Sequence, residues 1–86
     1  MKTETEFQDK LKICLRRARK GMWPIPIARK MGYMSPGVYF AYEVGDLKLS
    51  AYQLYQFMHA TGQDAEFAKQ IFDDNWNPPS MGKNNK

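Results

Sequence analysis

The chain has 86 residues, one cysteine, one histidine and a formal net charge of +4. Its length allows one small domain whose residues share a single core. One cysteine forms no internal disulfide, and with one histidine it supplies too few ligands for a structural zinc site. No apolar run approaches the roughly 18 residues of a membrane span, and the polar start has no apolar leader region. We therefore expect a cytoplasmic protein without a cofactor.

Positive charge is concentrated in the first part of the chain. Residues 1–50 hold ten Lys or Arg against five acids, which leaves +5 there and −1 in the remainder. The densest run, Arg16-Arg17-Ala18-Arg19-Lys20, is typical of a nucleic-acid-binding face and equally of a solvated helix surface. The charge pattern alone does not decide between these two interpretations.

Apolar residues at helical spacing predict a first helix from about Glu6 to Lys20. Two capping boxes are available at its start, Thr3–Glu6 and Thr5–Gln8. Gly21 is expected to end this helix, and Met22-Trp23 to supply apolar anchors before the next one.

A second helix is predicted over Pro24–Met31 and a third from Pro36 to about Val44. Two prolines are tolerated at the start of the second helix, because the N–H groups of a first turn have no partner in the helix. The small Ala28 allows another helix to cross closely, Gly32 ends the second helix, and Ser35 caps the third. Two short helices joined by such a turn are typical of a helix-turn-helix.

The remaining pattern predicts two more helices and a tail. Ser50, with Gln53 as its capping-box partner, begins a fourth helix that Gly62 ends, and Asp64 caps a fifth. No segment has the pattern of a strand, so we expect an all-α domain over residues 1–74. Residues 75–86 are rich in proline, asparagine and glycine, and we expect them to form a flexible C-terminal tail.

The chain resembles the five-helix DNA-binding domain of phage repressors and Cro-like regulators of the XRE type. The resemblance covers about residues 6–72 and depends on four stretches in the family's order: Leu15–Gly21, Ile27–Gly32, Tyr42–Gly45 and Leu54–Gly62. It implies a repressor-like helix-turn-helix fold that binds double-stranded DNA and regulates transcription, as a repressor of phage, plasmid or bacterial origin. The residues themselves do not favour an enzyme, because the adjacent carboxylates Asp73 and Asp74 have no histidine nearby in sequence.

The resemblance also implies an ion pair between Arg17, late in the first helix, and Glu43, at the end of the third. A planar guanidinium can hold a carboxylate by two parallel hydrogen bonds and so join helices that are distant in sequence. The alternative is that both are ordinary surface charges.

The residues that the resemblance assigns to DNA differ from the usual pattern. They are Lys20, Arg29, Lys30, Ser35, Pro36, Gly37, Val38, Phe40, Ala41 and Lys48. Recognition-helix positions commonly carry side chains that hydrogen-bond to base edges, whereas Pro36, Gly37, Phe40 and Ala41 cannot. This face could read thymine methyl groups and groove shape while the cations hold phosphates, or it could bind a protein. Tyr39 and Tyr42 are expected in the core with their hydroxyls reaching outward.

The C-terminal part is rich in aromatic residues, which favours a homodimer. The residues concerned are Phe67, Ile71, Phe72 and Trp76, which offer more surface than one small core readily hides. Two-fold symmetry would place paired recognition helices about one DNA turn, roughly 34 Å, apart. The alternative is that the fifth helix closes the core of the monomer.

Overall fold

The computed structural model describes residues 1–33 and 35–79, within which five helices form and no strand is present. The helices are α1 (Glu4–Ala18), α2 (Pro24–Lys30), α3 (Pro36–Val44), α4 (Ala51–Thr61) and α5 (Ala65–Phe72). The all-α, five-helix fold is therefore confirmed.

Side-chain caps set the helix starts. The capping box that forms is Thr3–Glu6, so α1 begins two residues earlier than predicted. The hydrogen bonds from Thr3 lower the pKa of the Glu6 carboxyl, because they favour its charged form. Ser50 and Asp64 cap α4 and α5 as predicted. The predicted end of α1 was Lys20, and the observed end is Ala18. The N–H groups of Lys20 and Met22 donate to carbonyls three residues earlier, so a turn replaces the last part of the predicted helix.

The turn after α2 brings α2 and α3 together. Gly32 has a φ of +91°, a left-handed conformation that favours glycine, and the Tyr33 N–H donates to the Ala28 carbonyl at 2.9 Å. Ala28 is buried, as predicted for a close crossing. Helix α2 packs on α3 and α4, while α1 packs on α3 and α5. This arrangement fixes the direction in which α3 presents its outer face.

Helix α5 and the segment after it close the core. Ile71 is fully buried, and Phe67 and Trp76 pack against the core cluster. Phe72 is exposed, with its ring stacked on Phe7 at a centroid distance of 5.8 Å. Three of the four residues assigned to a dimer interface therefore pack in the monomer. A side chain already in contact with the core offers little surface to a second copy.

A buried lysine ties the first helix to the end of the fifth. Lys10 is 0% exposed, its Nζ donates to the Asp73 carbonyl at 2.6 Å, and the same atom lies 5.4 Å from the centroid of the Trp76 ring. Pro78 is also fully buried. Trp76 and Pro78 thus pack on the domain, contrary to the flexible tail predicted from residue 75, and residues 80–86 of that tail lie outside the described residues.

Candidate nucleic-acid interface

The inner face of α3 ends in a buried polar cluster around Glu43. Arg19 donates to both carboxylate oxygens, from Nε to Oε2 at 2.5 Å and from Nη2 to Oε1 at 2.9 Å. The Tyr39 hydroxyl donates to the same carboxylate. Arg16 Nη1 donates to the Glu43 carbonyl at 3.1 Å, in the last turn of α3, where helix carbonyls have no partner within the helix.

The predicted ion pair is therefore correct for Glu43 and wrong for Arg17. Residues three apart share a face of a helix, so Arg16 and Arg19 reach α3 together, whereas the next residue projects about 100° away from Arg16. Arg17 is exposed and makes none of these bonds to Glu43. A planar guanidinium still holds the carboxylate by two hydrogen bonds, as predicted, but it belongs to Arg19, the C-cap residue of α1.

The tyrosine hydroxyls face inward rather than outward. Tyr39 and Tyr42 are buried, as predicted, but Tyr39 bonds to Glu43, and Tyr42 accepts a hydrogen bond from Tyr33 at 3.2 Å. Burial, with the bond to Glu43 as the next cause, raises the pKa of Tyr39 above its usual range. The hydrogen bonds that Arg19 donates to Glu43 raise the pKa of Arg19. Both groups keep their protons at neutral pH, which is consistent with a structural cluster.

The outer face of α3 carries apolar side chains. Phe40 is 42% exposed and Val44 62% exposed, and Val38 is also exposed. Ser35 Oγ accepts a hydrogen bond from the Gly37 N–H at 3.1 Å, so the polar group at the start of the helix is already used as a cap. Pro36 and Ala41, also assigned to this interface, are half-buried beside these residues. The face provides shape and apolar contact rather than hydrogen bonds.

Three of the four cations assigned to DNA are exposed and make no ion pair with the described residues. Arg29 and Lys30 lie in the last turn of α2, and Lys20 lies in the turn after α1. Lys48 differs, because its Nζ lies 2.7 Å from Glu4 Oε2. Its charge is matched within the protein, and it borders a cleft that also contains Asp9. Among the cations assigned to DNA, those without a carboxylate partner in the described residues therefore lie on α2 and just after α1.

Sequence reasoning missed exposed aromatic residues. Trp23, predicted to be an apolar anchor, is 79% exposed. It is the N-cap residue of α2, and its side chain makes no capping hydrogen bond. On α4, Tyr52 and Tyr55 stack at 5.8 Å, and Tyr55 contacts His59 at 4.5 Å. Spacing of three and four residues indicates that these three side chains share a helix face, but it does not indicate whether that face is buried.

The described part of the chain gathers no three His, Cys, Asp or Glu side chains into a possible metal site. None of its helices combines the length and apolar character needed to cross a membrane.

Comparisons with models of protein families, with curated proteins and with solved structures find no match. The function has to be inferred from the surfaces of α2 and α3 themselves.

Proposed function

We propose that this domain binds double-stranded DNA and regulates transcription, with α3 as the helix that enters the major groove. The fold supplies two short helices joined by a tight turn, and α3 exposes a continuous outer face. Helices of this size fit the major groove of B-form DNA, which is about 12 Å wide. The cations on α2 and after α1 would hold the phosphates on either side.

One observation about charge carries this proposal. Residues 20–45 contain three cations, Lys20, Arg29 and Lys30, and a single acid, Glu43. That acid is buried and bonded to Arg19, so it presents little negative charge to the solvent. Asp46, an exposed acid just after α3, is the nearest opposing charge in sequence. The surface of α2 and α3 itself is therefore positive and attracts an anionic polymer.

The apolar outer face defines how such a domain would distinguish sequences. Phe40 and Val44 can contact thymine methyl groups in the major groove, which are the apolar feature of base edges. Phosphate contacts from Arg29 and Lys30 would set position and affinity without reading sequence. We therefore propose modest sequence specificity and a strong dependence of affinity on salt.

The test is selection of duplexes from a random library, followed by fluorescence anisotropy at several salt concentrations. Arg29→Ala and Lys30→Ala should each weaken binding to all sequences and lower the salt slope by roughly one unit, because each removes the cation that neutralises one phosphate. Lys69→Ala is the matched control, because Lys69 is an exposed cation on α5. Equal effects at all three positions, or no enriched duplex at physiological salt, would reject the proposal.

A protein-interaction module on the same fold is the second candidate. The exposed side chains of Phe40 and Val44 favour it, since exposed apolar residues that lie together mark partner surfaces on soluble domains. Phe40→Ala distinguishes the two functions. With DNA as the target, it should reduce discrimination at thymine positions and leave non-specific binding intact. With a protein as the target, it should abolish binding while the substitutions of Arg29 and Lys30 have little effect.

The homodimer remains a prediction, and its surface is reduced to the exposed ring of Phe72, which stacks on the half-buried Phe7. Pairing through this stack would remove the Phe72 ring of each copy from water and would provide the two-fold symmetry that palindromic operators match. Sedimentation of the free protein and of its DNA complex measures this directly. A single species of 10.0 kDa at micromolar concentration, and one protein per duplex in the complex, would contradict it.

A further inference from the structure

A cleft of about 210 Å³ lies between α1, α5 and the segment after α5, with no wall from α2 or α3. Its walls combine aromatic rings with cationic and amide side chains: Cys14, Arg17, Gln63, Phe67, Gln70 and Trp76. Cys14 is the most buried of these and Arg17 is exposed. The cleft therefore has an apolar inner end and a cationic rim, and it contributes nothing to the proposed DNA surface.

The polar groups at the rim are not used elsewhere in the fold. No side-chain hydrogen bond or ion pair within residues 1–33 and 35–79 involves Arg17, Gln63 or Gln70. None of the residues that line the cleft is acidic. A guanidinium and two amides on the walls of the cleft thus have donors that no described side chain uses.

The inner end of the cleft is apolar and carries no negative charge. Phe67 and Trp76 are half-buried there. Burial raises the pKa of the Cys14 thiol, and the charges of Lys10 and Arg17 act on it in the opposite direction. The thiol stays neutral, and both nearby charges are positive. An anion with an apolar body would therefore meet favourable potential and apolar contact.

We propose that this cleft binds a small monocarboxylate with an aromatic ring. The carboxylate would accept two parallel hydrogen bonds from Arg17 and further ones from Gln63 and Gln70, while the ring packs against Phe67 and Trp76. A dry cavity of about 150 Å³ holds benzene, so the present volume suits a ring with a short acidic chain. For a ligand of about ten heavy atoms we expect a Kd of roughly 0.1–1 mM.

The experiment is a two-dimensional NMR titration of the full chain with phenylacetate, with 2-phenylethanol and 2-phenylethylamine as neutral and cationic probes. The indole N–H of Trp76 should shift with phenylacetate, while that of Trp23, an exposed residue at the start of α2, should stay unchanged. Phenylacetate should bind about tenfold more tightly than the alcohol, and the amine more weakly than the alcohol. No DNA is present, so the result does not depend on the proposed function.

Two variants test which charge is responsible. Arg17→Gln should weaken phenylacetate binding about tenfold and leave binding of 2-phenylethanol unchanged, because it removes the cation and keeps the walls. Arg29→Gln, an equal loss of charge on α2, should change neither. The proposal is overturned if Trp76 does not respond up to 10 mM phenylacetate, roughly tenfold above the expected Kd. It is also overturned if acid and alcohol bind equally, or if both variants weaken binding alike.

Discussion

The two faces of α3 reverse the usual distribution of polar and apolar groups. The inner face places a carboxylate in the interior, where Glu43 is 4% exposed and bonded to Arg19 and Tyr39. The outer face places Phe40 and Val44 in solvent. Burying a charge is costly unless hydrogen bonds satisfy it, and exposing apolar side chains contributes nothing to folding. The inner face therefore determines how α3 is held, and the outer face is available for a partner.

The largest effect should follow from removing the cation that satisfies Glu43. Arg19→Ala leaves a buried carboxylate without its ion-pair partner, and we expect a loss of about 3 kcal/mol in the free energy of unfolding. Arg17→Ala is the matched control and should change it by less than about 0.5 kcal/mol, because that residue is exposed. Urea unfolding measures both, and similar losses at the two positions would contradict the observed pairing.

A smaller loss should follow from removing the hydroxyl that donates to the carboxylate. Tyr39→Phe deletes a hydrogen bond to a charged group, which we expect to cost about 2 kcal/mol. Tyr33→Phe deletes a bond between two neutral hydroxyls and should cost about 1 kcal/mol. The comparison uses the same chemical change at two sites. If Tyr33→Phe were the more damaging of the two, the Glu43 cluster would not be the main polar tie of α3.

Alkaline pH should lower the free energy of unfolding through the buried tyrosine hydroxyls. The apolar residues of the outer face have no group that titrates. The pKa values of Tyr39 and Tyr33 are raised in the folded state, chiefly by burial, whereas unfolded tyrosine titrates near about 10. Above that pH the unfolded chain loses protons that the folded chain retains, so rising pH favours unfolding. Stability should be complete below about pH 10 and should then fall by about 1 kcal/mol per pH unit through Tyr39. Urea unfolding at pH 9.5 and 11 tests this, with a shallower decline expected for Tyr39→Phe.

The smallest effect is expected on the outer face. Val44→Ser should change the free energy of unfolding by less than about 0.5 kcal/mol, because the side chain is 62% exposed and packs little. The same substitution should reduce binding of the partner of α3, as measured by anisotropy. A loss above about 1 kcal/mol in stability would mean that this face is part of the core, and the contrast between the two faces would disappear.

Local chemistry made most of the fold predictable. Both ends of α3 are set by local residues: Ser35 caps its start, a proline occupies the first turn, and Gly45 ends it in a left-handed conformation. The observed bounds of α3 match the predicted ones. The start of α1 was less certain, since two capping boxes were possible. Such a choice depends on which first turn packs best, and local propensity does not decide that.

The candidate site was less predictable, because it depends on which way each side chain faces. A run of four basic residues indicates a charged helix end, but it does not say that Arg16 and Arg19 bond to Glu43 while Arg17 does not. Lys10 contributes to the basic charge of the first part of the chain, yet it is buried. Long amphipathic side chains can extend either way, and their partners, such as the Asp73 carbonyl, lie far along the chain.

The hydrogen bond from Lys10 to the Asp73 carbonyl joins residues that are 63 positions apart, which has a consequence for the order of folding during synthesis. The first helix leaves the ribosome long before its lysine has a partner. Until Asp73 and Trp76 emerge, the ammonium group must stay in water, and the core around α1 cannot close over it. This contact closes a loop that spans most of the domain and costs much chain entropy, so completion of the native core waits for the last packed segment to be made.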